Sequence, residues 1–261
     1  MKSAKEFHST IEKPGQDTPE ASTVVEMGRV LSLLAQGEME LLGLLPGSSN
    51  YTFLAQLSDD DLETLTVYKP QRGERPLWDF ADGTLCFREV AAFLLSQMLG
   101  WPRVPPTVLR QGPHGLGAVQ LYIEADPNIH YLTFAQERPA EGQRIALFDF
   151  IANNADRKSG HCLLDNGGQV WCIDHGITFH ADYKLRTVIW EFAGQPIPAP
   201  LLDDLQLLAA RLSRSNSEVE TLAHLLSPDE MDALSRRLDV LLTTKTFPEP
   251  GPYRAIPWPP V

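Results

Sequence analysis

Cysteine is scarce in this chain and does not form a recognisable framework. Only three cysteines (Cys86, Cys162 and Cys172) occur among 261 residues, and none belongs to a CxxC pair. Secreted disulfide scaffolds use even sets of cysteines, and zinc sites use closely spaced pairs. The sequence therefore predicts neither a disulfide framework nor a zinc framework.

Long apolar runs are also missing. Nothing approaches the roughly 20 apolar residues that a membrane-spanning helix needs. The first segment, MKSAKEFHSTIEKPGQDTPEAS, lacks the apolar core of a signal peptide. We therefore expect a cytoplasmic protein without a transmembrane segment, and a polar, disordered tail over residues 1–22.

Basic residues are outnumbered by acidic ones. Lys and Arg total 22 against 34 for Asp and Glu, which gives a net charge of -12. A field of this sign repels nucleic-acid phosphates and anionic lipids, so general nucleic-acid binding is not expected. Hydrophobic residues make up 43% of the chain, which is enough for a core of ordinary globular size.

Hydrophobic periodicity predicts a β-rich first half and a mostly helical second half. The expected elements are a helix from Thr23 to near Gly43, strands on either side of a turn at 46–50, a strand over 62–70, a helix over 84–100, the strands VPPTVL and AVQLYIE, a helix over 143–154, a hairpin turning at 165–168, and helices over 200–244 with one opening at Ser227. This order suggests an N-lobe over about 23–124, a C-lobe over about 125–247, a cleft between them, and a Pro-rich tail over 248–261.

Two segments of the first half could contact phosphate. The small residues of the turn Gly47-Ser48-Ser49-Asn50 would let backbone N–H groups approach an anion. Lys69 ends a strand, and Glu89 lies on the helix that follows. A Lys held by a carboxylate of a neighbouring helix can aim its ammonium at nucleotide phosphates. The alternatives are an ordinary turn and two surface charges.

Two segments of the second half could serve catalysis. In NNADRKSGH, Asp156 is followed by Lys158 and, five positions after the Asp, by the metal-capable His161. This spacing is the layout of a kinase catalytic loop, in which the Asp accepts the proton of the substrate hydroxyl. In IDHG, Asp174 leaves an apolar strand and needs a partner, which a metal ion would supply. A charged loop at a helix end is the alternative for the first segment.

Taken together, these segments make the chain resemble the phosphatidylinositol 3/4-kinase-like superfamily, most closely the type II phosphatidylinositol 4-kinases. The resemblance runs from about Leu45 to Phe192. It rests on SSNYTFL, VYKP with GE following, REVAAFL, VPPTVL, AVQLYIE, FDFIANNADRKSGHCLL and CIDHGITF. The chain is also similar to an uncharacterised bacterial group that shares VYKP, PLWDF and NNADRK, and more distantly to HipA-type bacterial kinases.

The resemblance implies an α+β, two-lobed protein-kinase-like fold that binds ATP with Mg²⁺ or Mn²⁺ and transfers a phosphoryl group to a hydroxyl. The acceptor (lipid, protein or small molecule) stays open. The residues implied are Ser48, Ser49 and Asn50 in the phosphate loop, Lys69 at the α- and β-phosphates with Glu89 orienting it, Gln120, Tyr122 and Glu124 in the adenine hinge, Asp156 as catalytic base, and His161 and Asp174 as metal ligands.

The chain departs from the family at two positions that affect function. His161 stands where the family usually has Asn, and an imidazole nitrogen favours softer metals than an amide oxygen does. The Cys-rich, lipidated insertion of the type II lipid kinases is replaced by PLWDFADGTLCF, with Cys86 alone. Mn²⁺ preference and a non-catalytic, nucleotide-binding regulator are therefore alternatives. We further expect Cys162 and Cys172 to be core residues and Arg157 to pair with a carboxylate or to touch substrate.

Overall fold

The computed structural model describes residues 6–7, 25–46, 50–252 and 254–261. The chain divides into two compact units. Unit 1 is drawn from Met1–Val90 and Pro105–Glu124, and unit 2 from Ala91–Val104 and Ala125–Val261. The predicted tail over residues 1–22 lies outside the described residues, apart from Glu6–Phe7, whose backbone pairs with Val25–Glu26.

Unit 1 is built on a five-stranded antiparallel sheet. Its elements in chain order are β1 (Glu6–Phe7), β2 (Val25–Glu26), α1 (Met27–Gln36), β3 (Glu38–Leu44), β4 (Phe53–Ser58), β5 (Glu63–Pro70), the first part of α2 (Leu85–Leu99), β6 (Thr107–Gly112) and β7 (Gly115–Leu121). The strand order is β3-β4-β5-β7-β6. Helix α1 buries Val30, Leu33 and Leu34 and contacts β4, β6 and β7, as its 3.6-residue spacing predicts.

The predicted helix from Thr23 to near Gly43 is wrong in its second half. Helix α1 ends at Gln36, and the following residues form β3. Gly37 sits at the change, where a Cβ atom would lie 2.8 Å from the Leu33 carbonyl oxygen. After Gly37, Met39 pairs with Leu57 and Leu41 pairs with Ala55 in the sheet. Sheet pairing thus overrides the helical spacing of EMELLGL, which a period-two pattern fits equally well.

The other helices and strands predicted for unit 1 are present, although β6 (Thr107–Gly112) and β7 (Gly115–Leu121) are shifted along the chain from VPPTVL and AVQLYIE. Strands β3 and β4 flank the predicted turn and pair antiparallel, and β5 ends at Pro70 as expected. The predicted helix over 84–100 is α2. Strands β6 and β7 form a hairpin whose last pair is Gly112 with Gly115.

Unit 2 is mostly helical. It holds the second part of α2, then α3 (Tyr131–Phe134), α4 (Pro139–Ile151), β8 (Cys162–Leu164), β9 (Val170–Cys172), α5 (Ala199–Leu212), α6 (Ser217–Leu225) and α7 (Pro228–Thr244). The predicted start at Ser227 is confirmed, because the Ser227 hydroxyl accepts the Glu230 N–H at 3.3 Å and the Glu230 carboxylate accepts the Ser227 N–H at 2.9 Å. This reciprocal capping box satisfies two donors at the helix start.

The Pro-rich segment at 254–261 belongs to unit 2 and is hydrogen-bonded to other parts of that unit. The Ala255 carbonyl accepts the backbone N–H of Thr187 at 2.9 Å and the indole N–H of Trp190 at 3.1 Å. Farther along, the Pro260 carbonyl accepts the backbone N–H of Ser159 at 2.9 Å. The segment is therefore held by hydrogen bonds, one of them to the predicted catalytic loop. Across the described ranges, no helix is long and apolar enough to cross a membrane.

Candidate functional site

In unit 1, Lys69 and Glu89 form an ion pair. Lys69 lies near the end of β5, opposite Ala118 of β7, and its ammonium donates to the Glu89 carboxylate. The Glu89 side chain is only 3% exposed, and that of Lys69 is 20% exposed. A buried carboxylate needs such a cationic partner. The two residues that the sequence linked as a phosphate-binding pair are thus in direct contact.

The predicted phosphate loop is described only in part. Ser48 and Ser49 lie outside the described residues. Asn50 is described, and its side-chain oxygen accepts the Arg75 N–H at 2.9 Å. Next to it, the Tyr51 N–H donates to the Gly73 carbonyl at 3.0 Å. Asn50 therefore ties the end of the turn to the segment that follows β5.

The predicted hinge is at the end of unit 1, where the chain continues into unit 2 after Glu124. The Gln120 side chain is buried and donates to the Thr107 hydroxyl at 2.8 Å. The Tyr122 N–H donates to the Leu65 carbonyl at 3.0 Å, and Glu124 is exposed. The Gln120 side chain and the Tyr122 N–H therefore form hydrogen bonds within unit 1, to Thr107 and Leu65.

A cavity of about 170 Å³ lies elsewhere in unit 1, beside the segment that joins β5 to α2. No predicted site residue lines it. Glu74 is in its wall, and the Glu74 carboxylate accepts the N–H groups of Leu85 at 3.1 Å and Cys86 at 2.8 Å. Glu74 thereby caps the start of α2, a role that could not be predicted from its place in the GE motif.

In unit 2, two neighbouring asparagines shape the loop before Asp156. The Asn153 amide donates to the carbonyls of His180 at 2.8 Å and Asp182 at 2.6 Å, and Asn153 itself has a left-handed φ of 51°. The Asn154 side-chain oxygen accepts the Asp156 N–H at 3.0 Å. Asn tolerates a left-handed φ better than most residues, so Asn153 suits the turn before Asp156. The hydrogen bond from the Asp156 N–H to Asn154 then fixes the backbone of that turn.

The Asp156 carboxylate lies close to an ammonium. The Lys158 Nζ atom is 3.4 Å from the Asp156 Oδ2 atom, and the Asp156 side chain is 31% exposed. Burial raises the pKa of Asp156, and the nearby Asp174 carboxylate raises it further, while Lys158 opposes the shift. A carboxyl with a raised pKa holds a proton more tightly, which suits a group that takes one from an acceptor hydroxyl.

The two predicted metal ligands also meet in unit 2. The His161 Nε2 atom is 3.3 Å from the Asp174 Oδ2 atom, with His161 14% exposed and Asp174 51% exposed. Among the described residues, no three His, Cys, Asp or Glu side chains are grouped as a metal site. The pair offers one imidazole nitrogen and one carboxylate, which are donor types that bind divalent cations.

Sequence reasoning missed Asp149, a residue of helix α4 that forms an ion pair with Arg157 of this loop. Arg157 and Asp149 are both fully buried and pair at 3.0 Å, so the expectation that Arg157 pairs with a carboxylate is confirmed. Burial raises the pKa of Asp149, and the facing guanidinium opposes that shift. The signal available in the sequence was the single charge inside the apolar run ALFDFI.

Six residues of the predicted site segments form three pairs, and each pair lies within one unit. Unit 1 brings Lys69 and Glu89 together. Unit 2 brings together Asp156 and Lys158 and also His161 and Asp174.

Comparison with curated proteins gives one extensive match. No protein-family profile matches the chain. The chain is 39% identical over 264 residues to protein Rv2133c of Mycobacterium tuberculosis, and the match covers 87% of this chain and 94% of that protein. It is 28% identical over 127 residues to phosphatidylinositol 4-kinase gamma 4 of Oryza sativa subsp. japonica, covering 41% of this chain and 22% of that kinase.

Solved kinase structures share the fold. Hydra Fam20 with sugar matches with a TM-score of 0.57 and 17% identity, covering 88% of this chain and 89% of that one. The Golgi casein kinase with Mn/ADP bound matches with 0.56 and 16%, covering 84% and 75%. The Helicobacter pylori proinflammatory kinase CtkA matches with 0.53 and 14%, covering 82% and 94%. The expectation of a mixed α/β, kinase-like fold is confirmed.

Proposed function

We propose that this chain, which belongs to the family of protein Rv2133c of Mycobacterium tuberculosis, is an ATP-dependent kinase that phosphorylates a hydroxyl. The proposal is based on the contacts of Lys69, Asp156 and His161. The kinase-like fold supports this function. We also propose that it is a member of the phosphatidylinositol 3/4-kinase-like superfamily. The motifs that carry that resemblance and the partial match to a plant phosphatidylinositol 4-kinase support the assignment.

The Lys69–Glu89 ion pair carries the proposal. Kinases use a strand lysine, held by a helix glutamate, to bind nucleotide phosphates. Glu89 is buried, so its charge is compensated by Lys69 and the pair is held in one geometry. Lys69 accordingly binds the α- and β-phosphates, and Glu89 orients it. The backbone of Gln120–Glu124 contacts adenine, and the turn with Ser48, Ser49 and Asn50 contacts phosphate.

In unit 2, Asp156 is the catalytic base. The acceptor oxygen bonds to the γ-phosphorus, the bond from that phosphorus to the β-phosphate oxygen breaks, ADP leaves, and Asp156 takes the hydroxyl proton. Lys158, 3.4 Å from Asp156, stabilises the ionised carboxylate before transfer. Catalysis of this kind is mainly positioning and charge neutralisation, which few residues can provide.

His161 and Asp174 hold the divalent cation. When bound, the cation neutralises phosphate charge. One nitrogen and one carboxylate ligand fit Mn²⁺ better than an all-oxygen site does, and the Golgi casein kinase was solved with Mn/ADP.

A second candidate function rests on this same ligand set. If the imidazole of His161 compromises the metal site so that no phosphoryl group is transferred, the chain is a nucleotide-binding regulator without turnover. The chain keeps both Lys69 and Asp156, which favours the enzyme. The acceptor is open among protein, lipid and small molecule.

Nucleotide binding tests the proposal directly. We expect Mn²⁺-ADP and Mn²⁺-ATP to raise the melting temperature of the wild-type chain, because a ligand that binds the native state stabilises it by mass action. Lys69→Ala should lose most of this shift, since the phosphates lose their cation.

Arg236→Ala is the matched control, because Arg236 is an exposed cation on α7 in unit 2. It should keep the full nucleotide-dependent shift. Equal shifts in Lys69→Ala and Arg236→Ala would remove Lys69 from the nucleotide site, and no shift in the wild type would overturn the proposal.

A further inference from the structure

Two of the three cysteines face each other across the β8–β9 hairpin. Cys162 opens β8, Cys172 closes β9, and the two are direct partners in the antiparallel register. Both are free and fully buried. Each cysteine is also close in the sequence to a proposed metal ligand, because His161 directly precedes Cys162 and Asp174 lies two residues after Cys172.

The hydrogen bonds of the hairpin place the pair at a site where a disulfide can form. The Ile173 N–H donates to the His161 carbonyl at 3.0 Å, and the Asp165 N–H donates to the Gln169 carbonyl at 3.0 Å. Hydrogen-bonded and non-hydrogen-bonded pairs alternate along antiparallel strands. With 161–173 and 165–169 hydrogen-bonded, Cys162 and Cys172 form a non-hydrogen-bonded pair.

An independent hydrogen bond supports this register. The Cys172 N–H points away from β8 and donates to the Arg103 carbonyl at 2.7 Å. In a non-hydrogen-bonded pair the Cα atoms lie about 4.5 Å apart and the side chains are close. Disulfides accept Cα separations of about 4.4–6.8 Å, so the backbone needs little movement.

The two cysteine side chains lie on the same face of the hairpin, because directly paired residues of antiparallel strands point to the same side. The buried Arg157 guanidinium donates to the carbonyls of His161 at 3.3 Å and Ile173 at 2.9 Å, the residues next to the two cysteines. The pair is therefore part of the framework that holds the catalytic loop.

We propose that Cys162 and Cys172 are a redox modification site, at which a peroxide or a small-molecule disulfide forms a reversible bond between the two sulfurs. Cys86 is not part of this hairpin, because it lies on α2 in unit 1. The oxidant reaches the pair when the short hairpin opens locally, a motion that native proteins undergo without unfolding.

With hydrogen peroxide the reaction proceeds in two steps. The sulfur of one cysteine attacks a peroxide oxygen, the O–O bond breaks, and sulfenic acid and water form. The sulfur of the second cysteine then attacks the sulfenic sulfur, the S–S bond forms, and a second water leaves. Two thiols lose two electrons and two protons, and a dithiol reductant reverses the reaction through thiol–disulfide exchange.

The disulfide also acts on the proposed metal site, and this part rests on the proposed function. A bond of about 2.05 Å between the two sulfurs restrains the backbone on both sides of the hairpin, so that this backbone adjusts less readily to a bound cation. His161 and Asp174, now 3.3 Å apart, are attached to that backbone. We expect the oxidised chain to bind Mn²⁺-ADP several-fold more weakly than the reduced chain.

The chemical test uses the full wild-type chain. It is treated with hydrogen peroxide, denatured in a thiol-blocking reagent, and analysed by mass spectrometry. Compared with the untreated chain, we expect one blocked thiol instead of three, a mass two hydrogens lower once the blocking groups are subtracted, and a peptide pair joined through Cys162 and Cys172. Dithiothreitol should restore three thiols. Three blocked thiols after treatment, or a bond that includes Cys86, would overturn the proposal.

Two variants sharpen the test. Cys86→Ala should oxidise as the wild type does, and Cys172→Ala should form no internal disulfide. Mn²⁺-ADP affinity is then measured before and after peroxide. A several-fold loss in the wild type and in Cys86→Ala, reversed by dithiothreitol and absent in Cys172→Ala, supports the coupling.

The outcomes separate this inference from the proposed function. A disulfide that leaves Mn²⁺-ADP affinity unchanged overturns the coupling. If the reduced wild type does not bind Mn²⁺-ADP at all, the proposed function fails, whereas a disulfide seen by mass spectrometry still establishes the modification site.

Discussion

Arg157 and Asp149 form a fully buried ion pair in unit 2, at 3.0 Å. Arg157 also donates to the carbonyl of Ile173 at 2.9 Å and lies 2.7 Å from the His175 Nε2 atom. One guanidinium thereby connects helix α4, the loop that carries Asp156, and both neighbours of Asp174. The positions of the proposed catalytic base and of a proposed metal ligand depend on the same buried cation.

Removal of Asp149 should strongly destabilise the chain. Asp149→Ala leaves the Arg157 charge buried without its carboxylate, and loss of one partner of a buried pair typically costs about 3–5 kcal/mol. The free energy of unfolding from urea denaturation measures this loss.

Two further variants test the cause of that loss. Asp203→Ala removes an exposed carboxylate from α5 and should change stability by about 0.5 kcal/mol or less. Asp149→Leu combined with Arg157→Met removes both charges and should be less destabilised than Asp149→Ala. A single variant as stable as the Asp203 control would contradict the role given to the pair.

Much of the fold and part of the site follow from the sequence, because both depend on local patterns. The segment NNADRK predicted the loop, the apolar stretch after the turn at 46–50 predicted β4, and the β-rich composition of LETLTVYKP predicted β5. The end of α1 at Gln36 could not be predicted from the sequence. The apolar residues of EMELLGL fit both a helical and a strand period, and the pairing of this segment with β4 decides for the strand. Asp149 was missed because its partner, eight residues away, becomes visible only when helix α4 and the loop fold together.

The pH dependence of phosphoryl transfer should respond to Lys158. Burial and the Asp174 carboxylate raise the pKa of Asp156, and Lys158 counteracts them. Asp156 acts as a base only when ionised, so the rate should fall as pH drops through its pKa. Lys158→Ala removes the opposing charge, raises that pKa further, and should move the acid limb to higher pH.

Profiles of kcat against pH for the wild type and Lys158→Ala measure this shift. Lys184→Ala, a lysine outside the Asp156 pair, should leave the acid limb in place. An acid limb of the kcat profile that is unchanged or lies at lower pH in Lys158→Ala than in the wild type would contradict the assignment of Asp156 as the titrating base.

The metal preference should depend on His161. His161→Asn replaces a nitrogen ligand with an amide oxygen, and Mg²⁺ prefers oxygen. We expect the ratio of Mn²⁺-ADP to Mg²⁺-ADP affinity to fall several-fold in this variant. Calorimetric titration with each metal gives the ratio, and His224→Asn on α6 is the control that should leave it unchanged. Identical ratios in all three proteins would mean that His161 is not a ligand.

The Pro-rich segment should protect the catalytic loop. Deletion of residues 258–261 removes the Pro260 carbonyl and leaves the Ser159 N–H, in a fully buried residue, without its acceptor. An unsatisfied buried donor costs about 1–3 kcal/mol, so stability should fall by this amount and hydrogen exchange over residues 159–161 should accelerate.

Deletion of Val261 alone is the control for that truncation, because it keeps an oxygen acceptor at Pro260. It should retain slow exchange over residues 159–161. If the longer deletion exchanges no faster than the control, the hydrogen bond to Pro260 has no part in holding the loop.

Transfer of labelled γ-phosphate tests the central claim most directly. The wild type, Asp156→Asn and the exposed-site control Asp239→Asn are incubated with labelled ATP and either Mn²⁺ or Mg²⁺, with protein, lipid and small-molecule acceptors drawn from a lysate. We expect labelled acceptor with the wild type and with Asp239→Asn, and at least a hundredfold less with Asp156→Asn, which should still bind Mn²⁺-ADP because the base acts in the chemical step. Nucleotide binding by the wild type without transfer to any acceptor would contradict the kinase and favour the nucleotide-binding regulator.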